Sequence, residues 1–187
     1  MDFQHLASCI LIQGSRYKNR PRRRKISAHY ARLRHLKNMS RLSTSITIKA
    51  SRSTVFRILR DIENYPFYFQ YIRRAQVVQQ KGDTVIAEID EEIHGIVQHL
   101  QTRFQFTPPD KIEAEQLSGP FKAARAWFFL QETDDGTELE HVAEFEIGRG
   151  ILGVLIHRFI ADSYAQNRMA EEVAAIKREA EKREREA

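Results

Sequence analysis

The sequence has a single cysteine, Cys9, and no long hydrophobic run. One cysteine excludes an internal disulfide and argues against a thiolate metal cluster, so a reducing compartment is expected. No stretch of 18 consecutive apolar residues occurs, and therefore no transmembrane helix is predicted. These absences favour a cytoplasmic protein.

Signatures of catalysis are also scarce. No pair of histidines has metal-ligand spacing, and no serine or threonine lies in a nucleophile motif. We therefore predict no catalytic residue, metal or cofactor, and interpret Asp90, Glu91 and Glu92 as a polar strand end. Catalysis stays open as an alternative. An acid–base cyclase needs only one buried histidine or arginine, because the shape of the cavity and the exclusion of water contribute most to directing a reactive chain.

Acidic residues are almost absent from the first 38 residues. This segment has ten Lys and Arg against Asp2 alone, so its charge is +9; the whole chain is +5, which leaves −4 for residues 39–187. We assign 1–42 as a basic leader that is either disordered or a non-native extension. The second reading arises because Met39, just before the first strand, is a plausible alternative start of translation. Contact of this leader with a membrane or the ribosome through phosphate groups, or an organellar transit role, remain alternatives, and no DNA partner is expected.

A folded domain is predicted over 43–187. Ile46 and Ile48 alternate with polar residues as in a half-buried strand, and Ser51 or Ser53 can cap the helix that follows. Pro66 ends that helix, and a brief second helical turn is expected through Phe67–Tyr71.

About six strands in hairpins follow, and turn residues such as Lys81-Gly82-Asp83 and Asp134-Asp135-Gly136 separate them. From Ile151 onward no helix breaker occurs, and apolar residues keep i, i+3, i+4 spacing; the charged last turns are expected to project past the sheet. The pattern predicts an α+β fold in which a curved antiparallel sheet of about seven strands surrounds one long C-terminal helix. A twisted sheet around a single helix leaves a gap, which is the predicted cavity.

The string Gly148-Arg149-Gly150-Ile151-Leu152-Gly153 has the spacing of a dinucleotide fingerprint. No βαβ unit surrounds it, so nucleotide binding is not expected. The glycines instead permit a sharp turn from strand to helix.

Several strings together resemble the START-like, helix-grip superfamily, and within it the polyketide cyclase/coenzyme Q-binding branch. They are Val55-Phe56-x-x-Leu59-x-Asp61-Ile62-Glu63-Asn64-Tyr65-Pro66, then Gly119-Pro120-Phe121, then Trp127-x-Phe129, then Gly136-Thr137 before the last strand. The resemblance spans about residues 43–180. It implies a START/Bet v 1-like fold with two short helices after the first strand, and a cavity for quinones, lipids or polyketide intermediates.

Nine residues are predicted to contact the ligand. Tyr65 and Tyr68 belong to an aromatic cluster that forms either the mouth of the cavity or a plug of the core. If the strand faces that hold Arg125 and His141 line the cavity, these two residues are its rare polar groups. The alternatives are that the opposite parity buries Ala124, Ala126 and Phe128 and sends Arg125 to solvent or an ion pair, and that His141 is a structural residue. The full set is Tyr65, Tyr68, Phe104, Phe121, Arg125, Trp127, His141, Leu155 and Phe159.

The function predicted first is a carrier or chaperone of a hydrophobic small molecule. The alternatives are a cyclase or aromatase acting on a polyketide-type substrate, and a ribosome-associated regulator. A carrier predicts few ionisable groups in the pocket, whereas an enzyme predicts at least two that converge.

Overall fold

The computed structural model describes residues 39–93, 95–146 and 164–186. The elements run in the order β1 (Ser40–Ile48), α1 (Arg52–Arg60), a 3-10 turn (Ile62–Asn64), α2 (Tyr65–Tyr68), β2 (Ile72–Lys81), β3 (Thr84–Ile93), β4 (Ile96–Thr107), β5 (Lys111–Ser118), β6 (Ala123–Thr133), β7 (Gly136–Glu146) and α3 (Tyr164–Arg185). The predicted α+β architecture is confirmed. β1 begins at Ser40, slightly before the expected domain start.

The seven strands form one antiparallel sheet in the order β1-β7-β6-β5-β4-β3-β2. Five of the six contacts between neighbours join strands that are consecutive in the chain, and the sixth brings β1 beside β7. Register shifts interrupt the pairing of β2 with β3 and of β4 with β5. Such irregularities bend a strand and increase its twist, which lets the sheet curve.

Helix α1 begins where the sequence predicts. The Ser51 hydroxyl accepts a hydrogen bond from the Thr54 backbone N–H, so Ser51 rather than Ser53 is the cap. Val55, Ile58 and Leu59 are fully buried on its inner face. The second helix starts at Tyr65 and not at Phe67, because proline is accommodated in the first turn of a helix, where its missing N–H costs nothing.

Helix α3 buries Val173, Ile176 and Ala180. The charge pattern predicted that the last turns project past the sheet, but the structure shows them in contact with β1 and the residues after it. Lys177 Nζ donates to the Thr47 carbonyl at 2.7 Å, and Glu181 Oε1 accepts from the Lys49 N–H at 3.0 Å. The backbone groups left open where β1 ends therefore find partners on the helix.

The glycine string 148–153 and the predicted contacts Leu155 and Phe159 lie outside the described residues. The same holds for the basic leader up to residue 38. Within the described part of the chain, no helix combines the length and apolar character needed to cross a membrane.

Candidate functional site

Small side chains create space on the inner face of the sheet. Ala114, Ala126 and Ala143 are direct cross-strand partners on β5, β6 and β7. The same row continues to Phe104 on one side and Leu42 on the other. Methyl groups at the centre of the row leave a hollow that larger side chains would fill.

This hollow is a cavity of about 250 Å³ between the sheet and α3. Its wall is predominantly apolar and includes Tyr65, Phe69, Ile89, Phe104, Phe121, Phe128, Phe145 and Met169. A volume just below the usual range for small-molecule sites, with a wall that is apolar over most of its area, fits a compact and mainly apolar ligand.

Ionisable side chains converge on part of this wall. Glu91 extends from β3, and Arg168 and Glu172 extend from α3, one helical turn apart. Arg168 donates to the Glu92 carbonyl at 2.8 Å, and its guanidinium lies 3.7 Å from the centre of the Tyr71 ring. The cation is thus fixed by a hydrogen bond and a cation–π contact beside two carboxyl groups.

Burial shifts the protonation of both carboxyl groups. It raises the pKa of Glu91 to about 7, and the positive charge of Arg168 opposes this shift. Burial, followed by the charge of Glu91, raises the pKa of Glu172 to about 8, although Arg168 and a hydrogen bond with Tyr71 act in the other direction. Both groups can therefore hold or release a proton near neutral pH.

His141 is a further ionisable group in this wall. Its side chain is only 5% exposed, and its ring stacks on Phe128 with 4.2 Å between centroids. Nδ1 is buried without a hydrogen-bond partner among the described residues and lies 3.6 Å from Glu172 Oε2, beyond bonding distance. Burial lowers the pKa of the imidazole to about 3, so the ring is neutral at physiological pH.

Five of the nine predicted contacts border the cavity: Tyr65, Phe104, Phe121, Arg125 and His141. The structure brings them together from α2, β4, the loop before β6, β6 and β7. Tyr65 also donates to the Leu59 carbonyl at 2.5 Å, which fixes its ring against α1. Their contact with a ligand stays a prediction.

The predicted facing of β6 is wrong. Phe128 and Leu130 are buried on the inner side with Ala124 and Ala126, whereas Trp127 is half-buried and does not line the cavity. Arg125 borders the cavity, but its guanidinium donates to Glu115 at 2.9 Å and its side chain is 42% exposed. The alternative parity prevails because it aligns the alanines of three strands and sends the charged side chain to water.

Tyr68 lies outside this cavity, at a separate surface cleft. Its hydroxyl donates to Asp61 at 2.5 Å and accepts from Arg183. The aromatic cluster is therefore divided: Tyr65 and Phe69 are buried, Tyr68 joins α2 to α3, and Phe67 is 84% exposed.

Sequence reasoning missed Glu91, Arg168 and Glu172. The interpretation of Glu91 as part of a polar strand end is wrong, because Glu91 continues the inner face of Val85, Ala87 and Ile89 on β3. Period-two parity was the signal that could have found it. On α3, Glu172 follows Met169 by three residues and Ala165 by seven, so helical spacing could have placed it on the inner face.

The family model for polyketide cyclase / dehydrase and lipid transport matches residues 48–170. No curated protein sequence gives a significant match. Similar solved structures share the fold at low identity, and each covers about three quarters of this chain.

The Zhui aromatase/cyclase from Streptomyces sp. R1128 is 17% identical, with a TM-score of 0.72 over 78% of this chain and 96% of that one. The di-domain aromatase/cyclase StfQ of the steffimycin biosynthetic pathway is 13% identical, with a TM-score of 0.67 over 78% of this chain and 52% of that one. A START superfamily protein from Mycobacterium smegmatis is 19% identical, with a TM-score of 0.62 over 76% of this chain and 97% of that one. These likenesses show the helix-grip fold.

Proposed function

Because the chain belongs to the polyketide cyclase / dehydrase and lipid transport family, we propose that it binds a predominantly apolar small molecule of quinone, lipid or polyketide type in the cavity. The observation that carries this proposal is the hollow above the row formed by Ala114, Ala126 and Ala143. Binding is favourable when an apolar ligand covers such a wall, because apolar surface is removed from water.

The ionisable cluster favours a catalytic use of this cavity over passive carriage. A carrier was expected to have few ionisable groups there, yet Glu91, His141, Arg168 and Glu172 all border it. Ionised Glu91, whose pKa of about 7 lies near the working pH, can accept a proton from a carbon next to a ketone, and protonated Glu172 can donate one to the carbonyl oxygen that the new carbon–carbon bond leaves negative. Two neighbouring carboxyl groups, one ionised and one protonated, form an acid–base pair suited to cyclisation and subsequent loss of water.

Incubation with a short synthetic poly-β-ketone separates catalysis from carriage. We expect the protein to direct cyclisation into one product faster than buffer alone, and Glu172→Gln to slow this by about 100-fold, the usual contribution of a general acid. Glu171→Gln is the matched control, because that neighbour is exposed on the same helix. If the protein binds the ketone but the products form at the rate and in the distribution seen in buffer alone, the protein is assigned to the carrier role instead.

A further inference from the structure

The buried ring nitrogen of His141 points to a specific polar group on the ligand. Nδ1 lies within a largely apolar wall and has no hydrogen-bond partner among the described residues. Leaving a buried polar atom unpaired costs free energy, so such atoms in folded proteins are commonly completed by water or a ligand.

The surroundings restrict which group could serve. Phe128 covers one face of the imidazole, and Glu172 Oε2 lies 3.6 Å from Nδ1, too far for a hydrogen bond. The neutral imidazole offers an anionic group no counter-charge, and the cation of the same wall, Arg168, is already held by the Glu92 carbonyl and the Tyr71 ring. A hydroxyl is neutral and both donates and accepts, so it can pair with either tautomer of the ring and with Glu172 at the same time.

We propose that the cavity selects ligands that carry a hydroxyl group on an apolar ring, with the hydroxyl bonded to His141 Nδ1 and the ring over the alanine row. This inference rests on the proposed binding function and adds the ligand class. The hydroxyl fixes the orientation of the ring, because Ala126 and Ala143 provide only non-directional contact.

Competition binding with three matched two-ring probes tests the inference on the full chain. The probes are naphthalene, 2-methoxynaphthalene and 2-naphthol, each displacing the fluorescent apolar dye N-phenyl-1-naphthylamine. Naphthalene has no polar group, the methoxy compound only accepts, and naphthol both donates and accepts. We expect 2-naphthol to bind about tenfold more tightly than the other two, the usual gain from one neutral hydrogen bond.

Two variants connect that preference to the histidine. His141→Leu should remove the preference for 2-naphthol over the other two probes, because leucine keeps an apolar wall but offers the hydroxyl no hydrogen-bond partner. His141→Asn retains a short polar group and should keep part of the preference. Circular dichroism establishes that each variant folds. If neither histidine variant folds, Glu172→Gln supplies the test, because it should selectively lower the affinity for 2-naphthol.

The possible outcomes are distinguishable. Equal affinity for all three probes would overturn the inference and leave apolar binding intact. In that case His141 Nδ1 would form its hydrogen bond with Glu172 after a small movement, and not with the ligand. A preference for 2-naphthol that survives His141→Leu would also overturn it. Failure of every probe to displace the dye would overturn the proposed binding function together with this inference.

Discussion

Single buried residues around the cavity respond to pH in opposite directions. Glu172, with its pKa raised from 4.5 to about 8, holds a proton in the folded protein that the unfolded chain has already released between these values. Its contribution to stability is therefore fully present below about pH 4.5 and is lost as the pH rises to about 8. His141 acts oppositely: its pKa is lowered from 6.5 to about 3, so stability is lost as the pH falls through that interval.

The first prediction is that Glu172→Gln removes the loss of stability that the wild-type protein shows as the pH rises to about 8. Relative to the wild-type protein, the free energy of unfolding of this variant should rise by about 3 kcal/mol between pH 5 and pH 8, because the amide does not titrate. Urea denaturation at several pH values measures the difference. The exposed control Glu171→Gln should differ from wild type by a constant amount, and a constant difference for Glu172→Gln as well would contradict the assigned burial.

The sequence predicted single residues only where parity was unambiguous. Leu139, His141 and Phe145 fall on the inner face of β7, as their alternation indicates. On β6 the alternation offered two faces, both with aromatic residues, and the choice depended on neighbouring strands. The facing of the paired strands decides such cases, and the sequence of β6 alone does not show which of its two faces meets the helix.

At the scale of elements, the turn before β7 depends on one glycine. Gly136 has φ +130°, and a Cβ built there would lie 2.2 Å from the Ile48 carbonyl oxygen. The next residue, Thr137, is fully buried and donates to the Ala50 carbonyl at 2.8 Å. This turn therefore holds the start of β7 against the corner between β1 and α1.

We expect Gly136→Ala to destabilise the domain by about 3 kcal/mol, because the backbone oxygen it meets cannot move without disturbing β1. Gly82→Ala is the matched control: φ is +59°, no atom lies within 4 Å of its added Cβ, and the cost should be about 1 kcal/mol. Thermal denaturation compares the two. Equal costs would show that backbone conformation alone, and not the approach of β1, sets the requirement for glycine.

Elements were the best-predicted level of the structure. Hairpins follow from turn residues such as Lys81-Gly82-Asp83, and the order of elements follows from these turns and the change to helical period near the C-terminus. The polar side of α3 was harder to predict. Arg168 looks like a surface charge in the sequence, and only the tertiary structure shows that it borders the cavity beside Glu172.

For the whole molecule, the central feature is a sheet that does not pack fully against its helix. The row formed by Ala114, Ala126 and Ala143 leaves space where three larger apolar residues would have produced a solid core. Such a void costs packing energy, so its presence in the domain favours a role in binding.

The measurement that tests this account most directly is a methyl NMR titration of the alanine-labelled full chain with 2-naphthol. We predict that the methyl signals of Ala114, Ala126 and Ala143 shift together, while that of Ala123, on the outer face of the same sheet, stays unchanged. Ala126→Leu should abolish the shifts by occupying the space. Shifts confined to exterior alanines, or none at saturating probe, would contradict the claim that the sheet and helix enclose a binding cavity.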